Sequence, residues 1–383
     1  MKVSVIGAGT MGAGIGQVAA TSGHEVVLFD AVDNAVNNAQ QRLKKILDRL
    51  VEKKKISSER ALEIIGKIHF SKDLNDIQGS ELVIEAIIED LDIKQEIFRK
   101  IEKLVDEKCI IASNTSSLSI ASIASSCKIS ERVLGIHFFN PAPLMPLVEI
   151  IPAIQTNENT LEIARSIVNS WGKITVIAKD TPGFIVNRVA RPFYGEALKI
   201  YEEGIASFAT IDWAMKEIGN FRMGPFELMD YIGNDINYTV TETVFRSFYY
   251  DSRYRPSFTQ KRMMEAGFLG KKSSRGYYNY NSEQNEKINE DNVLGKEIVL
   301  RVVSMLINEA ADALYLNIAT KEDIDLAMTK GVNYPMGLFK WADEIGVDNV
   351  LNKLDNLQTE YGEDRYRPSV LLRKMVRENK TFY

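Results

Sequence analysis

From residue 1 to about residue 180, short runs of β-branched and aliphatic residues alternate with longer amphipathic stretches. The runs at 3–6, 25–29, 82–85, 110–112, 133–137, 147–150 and 174–176 are read as strands. The stretches at 11–22, 34–54, 93–105 and 160–171 carry helical periodicity. The strand runs are apolar throughout rather than alternating, the pattern of strands buried on both faces. Strand–helix alternation at this spacing predicts βαβ units and a mainly parallel sheet.

The pattern breaks at Lys179-Asp180-Thr181-Pro182-Gly183. Beyond it, 184–280 reads as helical. A polar stretch at 281–292 reads as a linker, and helical pattern returns to residue 383. The two helical parts repeat each other. Ile185-Val186-Asn187-Arg188-Val189 aligns with Ile298-Val299-Leu300-Arg301-Val302, an offset of 113 (301 − 188). The same offset pairs Glu196 with Glu309, Asp212 with Asp325, Met223-Gly224 with Met336-Gly337, and Asp230 with Asp343. After a slip of one, Tyr254-Arg255-Pro256-Ser257 meets Tyr366-Arg367-Pro368-Ser369. The expected architecture is an α/β N-terminal domain (1–182) followed by two tandem all-α domains (183–291 and 292–383).

Composition narrows the function classes. The 383 residues are 45% hydrophobic and 26% charged, which fits a folded chain with more than one core. A net charge of −5 gives no general electrostatic attraction to nucleic acid or to an anionic membrane. No run reaches the ~18 apolar residues of a membrane span, and no secretory leader is read at the N-terminus. The expected compartment is the cytoplasm. Cys109 and Cys127 cannot form a disulfide framework, and two Cys with three His leave no Cys/His zinc set, so no metal is expected.

Three motifs carry chemistry. Gly7-Ala8-Gly9-Thr10-Met11-Gly12 follows a strand and opens a helix. Gly7 permits the turn, Gly9 lets a pyrophosphate approach the backbone, and Gly12 lets helix and strand pack closely. Loop N–H groups and the helix dipole favour the phosphate charge. Asp30 ends the next strand, 18 residues past Gly12, where a carboxylate accepts from ribose hydroxyls and repels a 2′-phosphate. NAD is therefore expected over NADP. Ser113-Asn114-Thr115-Ser116-Ser117 follows the strand at 110–112, at the sheet edge where such folds bind ligands; a helix N-cap loop would use the same residue types. His137 closes a strand in Gly135-Ile136-His137-Phe138-Phe139-Asn140-Pro141, and Glu149 lies twelve residues on in another apolar strand. A carboxylate there needs a partner, and a hairpin-like return would bring it to the imidazole.

Together with Asp180-Thr181-Pro182-Gly183-Phe184-Ile185-Val186-Asn187-Arg188 and Met223-Gly224-Pro225-Phe226-Glu227, these motifs closely resemble the L-3-hydroxyacyl-CoA dehydrogenase family, in its long form with a duplicated C-terminal domain. The resemblance implies a Rossmann-type first domain. It implies NAD-dependent oxidation of (S)-3-hydroxyacyl-CoA to 3-ketoacyl-CoA, short chains such as 3-hydroxybutyryl-CoA included. It assigns His137 as general base, Glu149 as its partner, and Ser116 and Asn187 as substrate contacts. Cofactor contacts are assigned to residues 7–12, Asp30, Glu89, Lys94, Ser116 and Asn140, and a coenzyme A contact to Lys53. A related dehydrogenase of a sugar acid or small hydroxy acid is the alternative. A non-catalytic protein on the same fold is disfavoured, because a lapsed site has no reason to retain buried polar groups. In the second copy Asn187 is replaced by Leu300 and Pro225 by Leu338. That copy is expected to pack against the first across a pseudo-twofold axis, giving an internal pseudo-dimer and a chain that is a monomer or homodimer. The expected partner is an acyl-CoA, with neither nucleic acid nor membrane.

Overall fold

The structure, a computed structural model, describes residues 1–32, 34–282 and 286–383. Part of the 281–292 linker, at Glu283, Gln284 and Asn285, lies outside the described residues. The chain divides into two compact units, Met1–Phe184 and Ile185–Tyr383.

The first unit is built on β1 (Lys2–Ile6), β2 (Glu25–Phe29), β3 (Ile68–Ser71), β4 (Leu82–Glu85), β5 (Ile110–Ser113), β6 (Val133–Phe138), β7 (Leu147–Pro152) and β8 (Ile174–Ile177). They form one sheet in the order β3-β2-β1-β4-β5-β6-β7-β8. Neighbours are parallel except β6 and β7, which are antiparallel. Val3, Val5, Leu28, Ile84, Ala112 and Ile136 are buried, as the continuous apolar runs require. The order reverses between β1 and β4, and such a switch point opens a ligand crevice at the strands' C-terminal ends. Helices α1 (Thr10–Thr21), α2 (Ala35–Glu52), α3 (Ser58–Gly66), α4 (Leu91–Leu104), α5 (Ile120–Ala124) and α6 (Glu158–Ser170) accompany the sheet. Strand β3 is absent from the sequence reading. Its four residues alternate, with His69 exposed, and it pairs on one side only, to β2.

The second unit is helical, as expected. Short α7 (Val186–Val189) leads into α8 (Arg191–Glu202), α9 (Phe208–Trp213), α10 (Pro225–Ile232), α11 (Asn234–Ser247) and α12 (Phe258–Glu265). Long α13 (Asn292–Tyr315) then leads into α14 (Lys321–Gly331), α15 (Leu338–Ile345), α16 (Val347–Tyr361) and α17 (Val370–Arg377). Helices α10 and α15 begin 113 residues apart, and α12 and α17 begin 112 apart, matching the repeat and its one-residue slip.

The repeated side chains do the same work in both copies. Asp212 accepts from the N–H groups of Phe226 and Glu227, at 2.9 and 2.8 Å, and so caps α10. Asp325 accepts from those of Phe339 and Lys340 and caps α15. A Cβ on Gly224 or on Gly337 would lie 2.3 Å from the capping carboxylate, which explains the glycine in each Met-Gly pair. Asp230 and Asp343 each accept two backbone N–H groups, from Tyr277 and Tyr278 and from Phe382 and Tyr383.

Ion pairs between the copies are reciprocal. Arg188 donates to Glu309 at 2.6 Å, and the equivalent Arg301 donates to Glu196 at 2.6 Å. Tyr254 donates to Glu309, as Tyr366 does to Glu196. This exchange of equivalent partners is the signature of a twofold-related contact.

Candidate functional site

The glycine turn is fixed by close approach. Gly7 has φ +107°, and a Cβ there would lie 2.5 Å from the Ala86 carbonyl oxygen. A Cβ on Gly12 would lie 1.8 Å from the Gly7 oxygen, so α1 packs directly on the turn. Gly9 differs: a Cβ there would meet nothing within 4 Å, which leaves its backbone open to a ligand. Asp30, at the end of β2, accepts from the Ala8 N–H at 2.7 Å and the Val32 N–H at 2.8 Å. Its carboxylate thus holds the turn in shape while each oxygen keeps a second acceptor position. Arg42 donates to the Ala8 carbonyl from α2. Around this turn lies a cleft of about 740 Å³ whose walls include Thr10, Met11, Asp30, Val32, Ile88 and Ile93. An open glycine backbone, a carboxylate and apolar walls fit the pyrophosphate, ribose and base of a dinucleotide.

Next to it lies a polar network with a buried lysine at its centre. Lys94 of α4 is 1% exposed, and its ammonium contacts Glu85 at 2.6 Å and Glu89 at 3.3 Å. Glu85 also accepts from the Ser113 hydroxyl and the Ile87 N–H. Glu89 accepts from the hydroxyls of Thr115 and Ser117 and from the N–H of Ser116. Burial alone would raise the Glu89 carboxyl. The Lys94 charge and these hydrogen bonds outweigh it and hold the carboxyl below its ordinary value. Lys94 therefore acts first as the counter-ion that lets two acids hold the 113–117 loop. Within that loop Asn114 accepts from the Phe138 N–H at 2.9 Å, tying it to the end of β6. The Ser116 hydroxyl has no partner among the described residues.

His137 and Glu149 face each other directly across the antiparallel β6–β7 pair, so their side chains leave one face of the sheet together. The His137 Nδ1 lies 2.6 Å from Glu149 Oε2, with His137 6% exposed and Glu149 fully buried. An ionised carboxylate only accepts, so Nδ1 carries the hydrogen and Nε2 presents its lone pair. The rings of Phe139 and Phe184 flank the imidazole at 4.6 and 5.8 Å. Asn140 precedes a cis proline, Pro141. The following turn lies over α1, where a Cβ on Gly14 would sit 3.3 Å from Ala142 and Pro143. Lys173 pins the turn from below by donating to the carbonyls of Ala142 and Met145, at 2.6 and 2.8 Å.

In the helical unit, Asn187 sits partly exposed on α7, next to the buried Arg188. Lys53 is an exposed residue at the C-terminal end of α2, where a cation is favourable.

Residues 2–181 match the family model described as 3-hydroxyacyl-CoA dehydrogenase, NAD binding domain. Residues 183–280 and 298–381 match that of the 3-hydroxyacyl-CoA dehydrogenase C-terminal domain. The chain belongs to the 3-hydroxyacyl-CoA dehydrogenase family. Among other members of this family, the 3-hydroxyadipyl-CoA dehydrogenase of Escherichia coli K12 is 35% identical over 97% of this chain and 96% of its own length. A probable 3-hydroxybutyryl-CoA dehydrogenase of Deinococcus radiodurans is 40% identical, over 73% of this chain and all of its own. The crystal structure of 3-hydroxybutyryl-CoA dehydrogenase from E. coli K12 superposes with TM-score 0.94 at 34% identity, covering 99% of this chain and 98% of that one.

The sequence reading of this dehydrogenase-family chain missed Glu85 and Lys173, which hold the site's loops, and named Asn114 and Thr115 only as members of the 113–117 motif, without a role. Glu85 offers a signal in hindsight: a carboxylate closing an otherwise apolar strand, nine residues before a lysine. Lys173 offers none, because nothing in its neighbours marks it as buried.

Proposed function

We infer that this chain is an NAD-dependent 3-hydroxyacyl-CoA dehydrogenase that oxidises (S)-3-hydroxyacyl-CoA to 3-ketoacyl-CoA, reversibly. The observation that carries this reading is the buried 2.6 Å His137–Glu149 pair, on the sheet whose C-terminal edge also holds the open glycine turn. The open turn at Gly9 and the Asp30 carboxylate would hold NAD, which would supply the hydride acceptor. His137 Nε2 takes the 3-hydroxyl proton as the hydride leaves C3. Glu149 compensates the imidazolium so formed. General-base assistance of this type contributes roughly 10²–10⁴-fold. Ser116 and Asn187 hold the reacting oxygen and the thioester as C3 becomes planar. Glu89 supports Ser116, and Asp30 favours NAD over NADP. Residues 7–12, Lys94 and Asn140 complete the cofactor set, with Lys53 assigned to coenzyme A.

We read the domains as 1–182, 183–291 and 292–383, with one active site per chain. Short chains such as 3-hydroxybutyryl-CoA belong to the substrate range, in keeping with the names of the relatives. The cytoplasm is the proposed compartment, in keeping with the bacterial source of the full-length match. The chain is proposed to work as a monomer or homodimer, its reciprocal helical contact being internal.

The test follows acetoacetyl-CoA reduction by absorbance with NADH and NADPH in parallel. NADH-dependent turnover of the thioester is expected. Oxidation of a free hydroxy acid or sugar acid, with no activity on the thioester, would replace this reading with the alternative dehydrogenase.

A further inference from the structure

Among the described residues the helical unit holds five buried arginines, Arg188, Arg191, Arg253, Arg301 and Arg365. Four have carboxylate partners. Arg188 meets Glu309, Arg253 meets Glu309 and Asp312, Arg301 meets Glu196 and Glu203, and Arg365 meets Glu196. Arg191, 7% exposed, has none. Its Nε donates to the Asn187 carbonyl at 2.9 Å and its Nη1 to the Thr241 hydroxyl at 3.2 Å. Its Nη2 has no partner among the described residues. The Tyr194 ring lies 4.9 Å from its carbon centre, a partial compensation. Burial pulls this guanidinium below its ordinary value, and no carboxylate pulls it back. The Tyr334 hydroxyl, from the second copy, interacts electrostatically with the same group and is itself buried without a hydrogen-bond partner.

A buried cation of this kind is costly unless an anion arrives to meet it. The repeat sets this cluster apart from the shared scaffold. At the offset of 113, Arg188, Glu196, Asp212 and Asp230 all recur in the second copy. Arg191 becomes Ser304, Tyr194 becomes Ile307, Thr241 becomes Leu354, and Asn187 becomes Leu300. The cluster around Arg191 is thus kept or lost together with Asn187, one helical turn away, whose carbonyl it holds.

We propose that Arg191 receives a negatively charged far end of the acyl chain, so that this chain's preferred substrates are 3-hydroxyacyl-CoA thioesters ending in a carboxylate. The proposal rests on the reading above that Asn187 contacts the substrate. A planar guanidinium offers paired N–H donors matched to a carboxylate, and the Tyr334 hydroxyl adds a donor from the second copy. The second copy then contributes to recognition as well as to packing.

The experiment compares two six-carbon substrates with NAD⁺: 3-hydroxyadipyl-CoA, which ends in a carboxylate, and 3-hydroxyhexanoyl-CoA, which ends in a methyl group. The wild type is expected to favour the carboxylate by about 10- to 100-fold in kcat/KM, the worth of a hydrogen bond to a charged group. Arg191→Met is expected to collapse that ratio toward one, mainly through KM for the carboxylated substrate, and Arg191→Lys to restore part of it. A purely structural arginine would lower both substrates together. Thermal shifts of the wild type with adipyl-CoA and hexanoyl-CoA repeat the comparison without the variant, and only the former should stabilise strongly. Equal wild-type kcat/KM for the two, or a preference for the methyl end, overturns the proposal. Failure to oxidise either of these or 3-hydroxybutyryl-CoA would instead sink the dehydrogenase reading itself.

Discussion

The two helical copies share their scaffold and differ at the positions we propose for substrate. Both use an aspartate to cap a helix against a crowded glycine, and both give an arginine to the other's glutamate. Only the first has an asparagine at 187 and an arginine at 191; the second has Leu300 and Ser304 there. Positions that satisfy buried backbone and buried charge must be filled in each copy, because an orphaned group costs stability wherever it lies. Positions that serve substrate are needed only where substrate binds. Internal duplication therefore separates the residues that recur, which stabilise, from those that do not, to which we assign the substrate.

That separation can be attacked at several strengths. Removing one acid of a reciprocal pair should have the largest effect. Glu196→Gln and Glu309→Gln should each destabilise by about 3–5 kcal/mol, because the first leaves the buried Arg365 and the second the buried Arg188 without a carboxylate, while Arg301 keeps Glu203 and Arg253 keeps Asp312. Urea denaturation of the two variants should give similar losses, and a large loss in one with none in the other would break the symmetry argument. Next comes Asn187→Leu, which gives the first copy the second's residue. It should lower kcat/KM by about 100-fold, or about 2.7 kcal/mol, with stability nearly unchanged. The reverse change, Leu300→Asn, should leave turnover where it was. Steady-state kinetics beside a melting curve distinguishes these outcomes.

A smaller effect is expected in the first unit. Glu89→Ala removes the acceptor that holds Thr115, Ser116 and Ser117, and should weaken NADH binding several-fold by fluorescence titration. Because the Glu89 carboxyl is held low in the folded chain, its contribution is present above the ordinary glutamate range and is lost as pH falls below it. The variant should therefore melt with a flatter acid limb. Least disturbing is thiol chemistry. Burial pushes Cys109 up to about 12 and Cys127 up to about 11, so neither should label with iodoacetamide at pH 8 until the chain is unfolded. Fast labelling of the native protein would contradict their packed environment.

The sheet is legible in the sequence because doubly buried strands leave unbroken apolar runs and the glycine turn has a fixed spacing to Asp30. The His137–Glu149 pair is legible because a carboxylate in an apolar strand has to find a partner. Strand β3 is not legible: it is short, alternating and paired on one side. Nor are Lys173 and Arg191, which read as ordinary solvated cations until the fold buries them, nor the burial of Lys94, which the resemblance marks only as a cofactor contact. Burial of a long charged side chain is set by residues far along the chain. The repeat supplies the missing signal for Arg191 alone, since it shows which arginines recur and which does not.

The account turns on whether the imidazole at 137 serves as the base. Substituting His137→Gln and measuring both NADH affinity and acetoacetyl-CoA turnover tests this most directly. A fall in turnover of roughly 10²–10⁴-fold with NADH affinity nearly unchanged is the expected result. Near-normal turnover, or loss of NADH binding and of the folded state together, would contradict it.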